Sequence, residues 1–352
     1  MTEKKITNIA VLGLGTIGKR HVLAIDKIDD IQVCGIIDLD PLTKNFCDIK
    51  NIPFYTDLQK LKNHSELDGV IISTPTISHF DGAFSALKLG LDILIEKPIS
   101  ANVSQANEIS NIAKEQNCKV LVGHQRRYYP LVLKTKEIIK EKKIGKVIGL
   151  SGIWGLRKDI EYFDANWRKE VTAGPVITNL IHEIDCLRFI FGEIDAVSSF
   201  SANTANTVNN FKKEDILTVN LKFKSGLLGN FLITDSGSSP WSWETAVGEN
   251  INIPKLSENS IRIIGTEGSL EFPNLKLWNY KDIKNKNNWK DDLIGVNINF
   301  DEIDPYISQI KHFRDVINRN VEPLTNADDA KLTLKVALSI LESADSNQTI
   351  II

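Results

Sequence analysis

Residues 6–18 read ITNIAVLGLGTIG, and this stretch determines how the first part of the chain is expected to fold. Its apolar half predicts a strand, GxGxxG follows at once, and residues 17–28 then carry apolar side chains at helical spacing. Strands and helices keep alternating up to about residue 123. This alternation predicts a parallel sheet covered by helices, in an α/β domain over residues 1–123.

The residues of this turn have separate roles in dinucleotide binding. Gly13 permits the tight turn, Gly15 lets the backbone approach a pyrophosphate, and Gly18 lets the helix pack closely on the strand. Thr16 and Ile17 begin the helix, whose N–H groups and positive dipole end attract phosphate. The alternative interpretation is a tight βα turn that binds no ligand.

Asp38 lies 20 residues after Gly18, at the end of the second predicted strand. A carboxylate at this position accepts hydrogen bonds from a ribose diol and repels a 2′-phosphate. NAD is therefore favoured over NADP, because Leu39, Asp40 and Pro41 follow and bring no cation. Lys44 is close enough to leave NADP open.

Glu96-Lys97-Pro98 follows a predicted strand over residues 92–95. Ligands of open parallel sheets bind beyond the carboxyl ends of the strands. Lys97 is therefore expected to point into the cleft beside a nicotinamide, where it can hydrogen-bond a substrate hydroxyl or share its proton. The alternative is a lysine that is merely a solvated surface charge.

After residue 123 the pattern changes to consecutive strands, for example over residues 196–201, 217–223 and 227–234. Strands that follow one another without helices predict a large open, mostly antiparallel sheet. We therefore expect a second, α+β domain over residues 124–352. The last helical region of this domain could pack back on the first domain.

Composition excludes several classes of protein. The net charge of -3 argues against a nucleic-acid partner, and no apolar run approaches the roughly 18 residues of a membrane span. The four cysteines are scattered without a CxxC pair, and the N-terminus shows no secretory segment, which favours a cytoplasmic protein. The six histidines show no metal-binding spacing, so no metal site is expected.

A helix predicted over residues 179–191 carries His182 and Asp185 on one face, because they are three residues apart. His182 could take the proton of a substrate hydroxyl, and a carboxylate nearby would hold the tautomer and support the imidazolium. The alternative is a plain His–Asp pair on the surface.

Over nearly its whole length the sequence resembles the glucose–fructose oxidoreductase / inositol dehydrogenase (Gfo/Idh/MocA) family. The order and spacing of many short motifs together carry this resemblance. The motifs are GLGTIGKRH from Gly13, Asp38 to Pro41, Ser73-Thr74-Pro75 with His79, Glu96-Lys97-Pro98, Gly123 to Arg127 before Pro130, Ile144 to Lys146, Trp167-Arg168, Gly174 to Asp185, Gly265 to Gly268, and His312-Phe313 with Pro323.

The resemblance implies an N-terminal Rossmann domain that binds NAD(P). It also implies a C-terminal α/β domain whose open sheet provides the subunit interface of a homodimer or homotetramer. It implies oxidation or reduction of a sugar, cyclitol or related polyol. Lys97 matches the family's catalytic lysine, and His182 matches its acid/base histidine. The residues that match the lining of the cofactor cleft are Ser73, Thr74, Pro75, His79, Glu96 and Lys97.

One departure from the family pattern concerns the residues before His182. Many relatives have an aspartate four residues earlier, within Asp-x-Gly-x-His, whereas this chain has Thr178 followed by Asn179. Both can hydrogen-bond a substrate, but neither can hold a negative charge. Either Asp185 supplies the acidic support, or the proton relay is arranged differently.

Arg126, Arg127 and Tyr128 begin the second predicted domain and could contact the substrate or the cofactor. The two arginines could equally form interdomain salt bridges. Trp167 and Arg168 are expected to close over the nicotinamide, with a buried structural tryptophan as the alternative.

Trp241 and Trp243 lie in the unusual segment SPWSW. Flat aromatic faces suit sugar rings, so both are candidates for walls of a substrate pocket. Core packing or a subunit contact is the alternative.

Three hypotheses about function follow. The first is an NAD(P)-dependent dehydrogenase that acts on the CH–OH group of a polyol. The second is an NAD(P)-binding sensor without turnover. The third is chemistry on glycosides or aldoses in which tightly held NAD is oxidised and reduced only transiently.

Overall fold

The structure is a computed structural model, and it describes residues 6–170, 173–203, 213–281 and 289–352. The chain folds into two compact units. The first contains the chain up to Tyr128 together with Ile303–Leu334, and the second contains Tyr129–Glu302 together with Lys335–Ile352. No helix within the described ranges is both long and apolar enough to cross a membrane.

The sheet of the first unit is parallel throughout, in the order β3-β2-β1-β4-β5-β6. The strands over residues 69–72 and 92–96 are buried at every position, as expected for parallel strands covered by helices on both faces. The predicted Rossmann architecture is confirmed. The strands are β1 Thr7–Leu12, β2 Ile31–Ile37, β3 Phe54–Tyr55, β4 Gly69–Ile72, β5 Asp92–Glu96 and β6 Val120–Gly123.

The sheet of the second unit is mostly antiparallel, as predicted, in the order β14-β13-β12-β11-β7-β10-β9-β8-β15. Only the β7–β10 pair of this described sheet is parallel. The strands are β7 Val147–Gly155, β8 Ile194–Ala202, β9 Ile216–Phe223, β10 Leu228–Thr234, β11 Ile261–Gly265, β12 Gly268–Phe272, β13 Lys276–Tyr280, β14 Leu293–Asn297 and β15 Ile350–Ile351.

Alternation along the strands decides which face of this second sheet is covered. In β9, Leu217, Val219 and Leu221 are buried, whereas the residues between them are exposed. The core therefore lies on one face, against helices. Over the whole described chain the helices are α1 Thr16–Ile25, α2 Lys44–Lys50, α3 Leu58–His64, α4 His79–Lys88, α5 Val103–Glu115, α6 Pro130–Lys140, α7 Ile181–Phe191, α8 Trp243–Val247, α9 Pro305–Ile317 and α10 Ala327–Ser346.

Helix α9 belongs to the first compact unit, and it lies in the last helical region, for which packing on the first domain was left open. Tyr306, Ile310 and Phe313 of α9 are buried in the same core as the apolar residues of β1 and β2. Their spacing of three and four residues places them on one face of the helix.

Candidate functional site

The glycine turn of the first unit is shaped by close backbone contacts. Gly13 has a φ of +90°, and a Cβ there would lie 2.7 Å from the Thr74 nitrogen. A Cβ at Gly18 would overlap the carbonyl oxygen of Gly13. At Gly15, by contrast, a Cβ would meet no described atom within 4 Å. The turn therefore has no room for a side chain at Gly13 or Gly18, whereas it is open at Gly15.

The opening continues onto the start of α1. Gly15, Thr16 and Ile17 are all exposed, no side chain caps the helix, and its first turn carries no acidic residue. The first N–H groups of a helix have no partner within the helix, so they and the dipole favour an anion here. These features fit the diphosphate of a dinucleotide.

Asp38 is half-buried and directly follows β2. Its carboxylate accepts hydrogen bonds from the Leu14 nitrogen at 2.6 Å and from the Asp40 nitrogen at 2.9 Å. Asp38 thus also holds the glycine turn. Each carboxylate oxygen has a second lone pair, so the group retains capacity for a ribose diol. Lys44 forms an exposed ion pair with Asp48 at 2.7 Å.

The segment after β4 packs against the glycine turn. The Ser73 hydroxyl donates to the Gly13 carbonyl oxygen at 2.7 Å. The Thr74 hydroxyl is buried without a hydrogen-bond partner among the described residues, which is costly unless a ligand or water satisfies it. Pro75 is exposed beside them. An orphaned hydroxyl next to the open turn is the second feature that fits a bound cofactor.

His79 links this segment to the Glu-Lys-Pro corner. Its ring nitrogens lie 2.8 Å from the Pro98 carbonyl oxygen and 2.9 Å from that of Thr74, and the side chain is buried. Burial lowers the pKa of His79, although the two carbonyl groups favour the protonated ring. Direct contact of the ring with a cofactor stays a prediction.

A buried pair anchors the residue before Lys97. His21 Nε2 lies 2.7 Å from Glu96 Oε1, and the other Glu96 oxygen accepts from the Lys97 nitrogen at 3.3 Å. Burial would raise the pKa of Glu96, but the hydrogen bond from His21 and its charge outweigh burial, so the pKa lies below its ordinary range. Lys97 itself is half-buried, and its bond to Pro98 is cis.

Sequence reasoning missed His21 as a partner of Glu96. The histidine ends the motif GLGTIGKRH, which was used for the resemblance but was given no chemistry. Its edge also packs against the Tyr306 ring, with ring centroids 5.4 Å apart. The pair therefore connects α1 to the corner that carries Lys97.

Arg127 has a structural contact in the first unit. It is buried and pairs with Asp329 at 2.5 Å, and it also donates to the Leu324 carbonyl oxygen at 3.3 Å. Arg126 is buried as well, and the Tyr128 ring lies 5.7 Å from that of His312. A salt bridge was one of the two interpretations of the arginines, and Arg127 forms one within its own unit. Substrate or cofactor contacts of these three residues stay predictions.

In the second unit, a π-helical turn over Val176–Leu180 leads directly into α7. His182 is 9% exposed and Asp185 is 1% exposed, so they are not the surface pair of the alternative interpretation. Helix α7 is buried on nearly all sides. Thr178 and Asn179 are half-exposed, and π-helical turns often occur at functional sites.

Lys158 contacts Asn179 and also lies near the ring of Tyr162, which Arg168 contacts as well. Lys158 donates from Nζ to Asn179 Oδ1 at 3.0 Å, and its ammonium lies 4.5 Å from the centre of the Tyr162 ring. Arg168 lies 4.2 Å from the same ring and donates to the Tyr162 carbonyl oxygen at 2.8 Å. Sequence reasoning missed Lys158 and Tyr162, because nothing local indicates their contact with residue 179.

A carboxyl group lies against the turn that precedes Thr178. A Cβ at Gly174 would overlap the Glu214 carboxylate, and the Val176 nitrogen lies 3.5 Å from Glu214 Oε1. Burial raises the pKa of Glu214 to about 7, although backbone N–H groups and Lys213 oppose this shift. Lys213 and Asp235 form a fully buried ion pair at 2.5 Å.

The two tryptophans of the SPWSW segment differ in position. Trp241 is 40% exposed and remains available to a ligand. Trp243 is 0% exposed and packs edge-on against Tyr129, with ring centroids 5.1 Å apart. Its predicted place in a pocket wall is corrected to the core, because no ligand can reach it. Trp167 lies in a short helical turn over Asn166–Lys169. Its side chain is outside the described part of the structure.

Two protein-family models match the chain. A model described as an oxidoreductase family with an NAD-binding Rossmann fold covers residues 7–124, and its C-terminal α/β domain model covers residues 136–352.

Among curated proteins, the chain is 26% identical to a scyllo-inositol 2-dehydrogenase (NAD(+)) of Bacillus subtilis, over 95% of this chain and 93% of that protein. It is 23% identical to a 2,7-anhydro-N-acetylneuraminate hydratase of Mediterraneibacter gnavus, over 76% of this chain and 67% of that one. A solved NAD-binding protein from Listeria innocua has the same fold, with a TM-score of 0.80 and 20% identity over 99% and 97% of the two chains.

Proposed function

This chain belongs to the Gfo/Idh/MocA oxidoreductase family, and we propose that it is an NAD-dependent dehydrogenase of a sugar, cyclitol or related polyol. The observation that carries the proposal is the glycine turn, which is open at Gly15 beside the orphaned Thr74 hydroxyl. The name of the Bacillus subtilis relative supports a polyol substrate.

The residues around Asp38 support NAD over NADP. The Asp38 carboxylate would repel a 2′-phosphate, and the ammonium of Lys44 is already paired with Asp48. Gly15, Thr16 and Ile17 would hold the diphosphate through backbone N–H groups.

When bound, NAD supplies the hydride acceptor of an alcohol oxidation. In the proposed mechanism, Lys97 donates a hydrogen bond to the reacting hydroxyl and stabilises the developing alkoxide. His182 accepts the hydroxyl proton, and Asp185, one turn further along α7, supports the imidazolium. The pair of His21 and Glu96 holds the backbone of Lys97 in place.

The test is NADH formation across a panel of polyols, together with NAD binding to the wild type and to Lys97→Ala and His182→Ala. Each variant should lose about 10²–10⁴-fold in kcat. NAD affinity should stay within about threefold. Full turnover in either variant would overturn its assigned role, and lack of NAD binding by the wild type would overturn the whole proposal.

A second candidate is a reaction without net oxidation, in which the cofactor returns to its starting state. The hydratase name of the Mediterraneibacter gnavus relative favours it. Conversion of a glycoside or anhydro sugar with no accumulation of NADH would distinguish it from the dehydrogenase. Tight NAD binding with no conversion of any substrate would instead favour a sensor.

We further propose that the protein is cytoplasmic and that the open sheet forms a homodimer or homotetramer. The exposed face of this sheet supports an interface, since Leu228 and Ile264 are 59% and 51% exposed. Light scattering of the wild type, and of a variant with charged residues at these two positions, tests the assembly.

A further inference from the structure

The amide of Asn179 is held in one orientation. Its Oδ1 atom accepts from Lys158 Nζ at 3.0 Å and from the Thr178 hydroxyl at 2.8 Å. An ammonium group can only donate, so the oxygen of the amide must face Lys158. The amide nitrogen, with its two N–H donors, therefore lies on the other side of the group.

Two cations lie on the same aromatic ring beside this amide. The ammonium of Lys158 and the guanidinium of Arg168 are 4.5 Å and 4.2 Å from the centre of the Tyr162 ring. All three side chains are half-buried, so they are partly accessible and partly desolvated. Electrostatic interactions are stronger in such a place than in bulk water.

One carboxylate near this position, that of Asp235, is already neutralised, and another, that of Asp159, accepts a hydrogen bond from the main-chain nitrogen of Tyr162 at 2.8 Å. The main-chain nitrogen of Lys158 donates to the carbonyl oxygen of Asp235, whose carboxylate forms the buried pair with Lys213. Position 178 is a threonine, which carries no charge. Lys158, Tyr162, Arg168 and Asn179, here named the donor cluster, thus present mainly hydrogen-bond donors and positive charge.

We propose that the donor cluster binds the carboxylate of an acidic polyhydroxy substrate, such as an aldonate or a uronate. A carboxylate only accepts hydrogen bonds and carries the complementary charge, whereas a hydroxyl needs acceptors as well as donors. Asn179 lies three residues before His182, about one helical turn away, so the carboxylate binds one turn from the proposed base. This inference rests on the proposed function and specifies its substrate class.

The test compares two acid–neutral pairs of ligands, D-gluconate with D-glucitol and D-glucuronate with D-glucose. Binding is measured by calorimetry on the full-length protein, saturated with NADH and also without it. Wild type should bind each acid about tenfold or more tightly than its neutral partner. The preference should weaken as salt concentration rises.

The Lys158→Met variant should lose this preference to within about threefold, and Lys158→Arg should retain most of it. Lys143→Met is the matched control, because Lys143 is exposed after α6 and pairs with Glu141 at 2.9 Å. It should bind all four ligands as wild type does. Thermal unfolding of each variant shows whether it is folded.

Three results would overturn the inference. They are a neutral ligand bound as tightly as its acid, an acid preference that survives in folded Lys158→Met, and no acid binding at about 10 mM. If NADH binds and neutral polyols are oxidised, the proposed function stands while this inference fails. If NADH does not bind, the titrations without cofactor still decide the inference, and the proposed function fails separately.

Discussion

The glycine turn of the first unit and the donor cluster of the second are built from different parts of the chain. The turn consists mainly of backbone: Gly13 and Gly18 touch other main-chain atoms, and the Asp38 carboxylate bonds to main-chain nitrogens. The donor cluster consists of side chains that contact other side chains. A site built from backbone recognises a chemical group that is common to all its ligands, here the diphosphate. A site built from side chains can change its ligand specificity through a single substitution.

The sharpest test of the backbone-built site compares two glycines of the same turn. Gly18→Ala should destabilise the protein by about 4 kcal/mol or more, because its Cβ overlaps the Gly13 carbonyl oxygen. Gly15→Ala should change stability by about 0.5 kcal/mol or less and should weaken NAD binding about tenfold or more. Urea unfolding and NADH titration measure the two effects. Equal stabilities of the two variants would contradict the comparison.

The next largest effect concerns the buried pair behind Lys97. Glu96→Ala leaves His21 buried without its carboxylate, so the free energy of unfolding at pH 7 should fall by about 3–5 kcal/mol. The folded pKa of Glu96 is lowered, so its contribution to stability is present above the ordinary pKa of 4.5 and is lost as pH falls through the folded value. The gap to wild type in urea unfolding should therefore shrink on acidification.

The control for that variant is Glu322→Ala, since Glu322 is 80% exposed in its pair with Lys119. It should lower stability by about 1 kcal/mol or less at every pH. A loss in Glu96→Ala no larger than this would show that the pair does not anchor the corner.

Glu214, in the second unit, provides a test in which stability changes with pH in the opposite direction. Its folded pKa of about 7 exceeds the ordinary value of 4.5, so the folded state is favoured by protonation and loses stability as pH rises from 4.5 to 7. Glu214→Gln should therefore be more stable than wild type at pH 8 by about 2–3 kcal/mol. The two proteins should converge near about pH 4. Glu258→Gln, at an exposed position, should show no such trend.

The smallest expected effect is on coenzyme choice. Lys44→Ala should change the ratio of NAD to NADP affinity by less than about twofold, because Lys44 is an exposed partner of Asp48. Asp38→Asn removes the charge that opposes a 2′-phosphate and should relax the preference about tenfold. Parallel titrations with NADH and NADPH give both ratios. A large effect of Lys44→Ala would place its ammonium at the cofactor.

Local patterns were sufficient for the parallel sheet and the glycine turn, because strand, turn and helix are adjacent in the chain there. They were insufficient for contacts between distant residues. His21 and Glu96 are 75 residues apart, and Lys158 and Asn179 are 21 apart. Trp243 looked like a sugar-binding aromatic because its neighbours are polar. It is buried because α8 turns it against Tyr129 and Phe272.

The amino-acid sequence alone determined the type of each sheet, the position of the phosphate-binding turn and the motif that carries Lys97. These depend on periodicity, glycine stereochemistry and short-range order, which are properties of neighbouring residues. Tertiary structure alone decided which side chains are buried, which carboxylates are paired, and that Lys158 meets Asn179. Burial and charge pairing arise only when distant segments pack, so no local pattern specifies them.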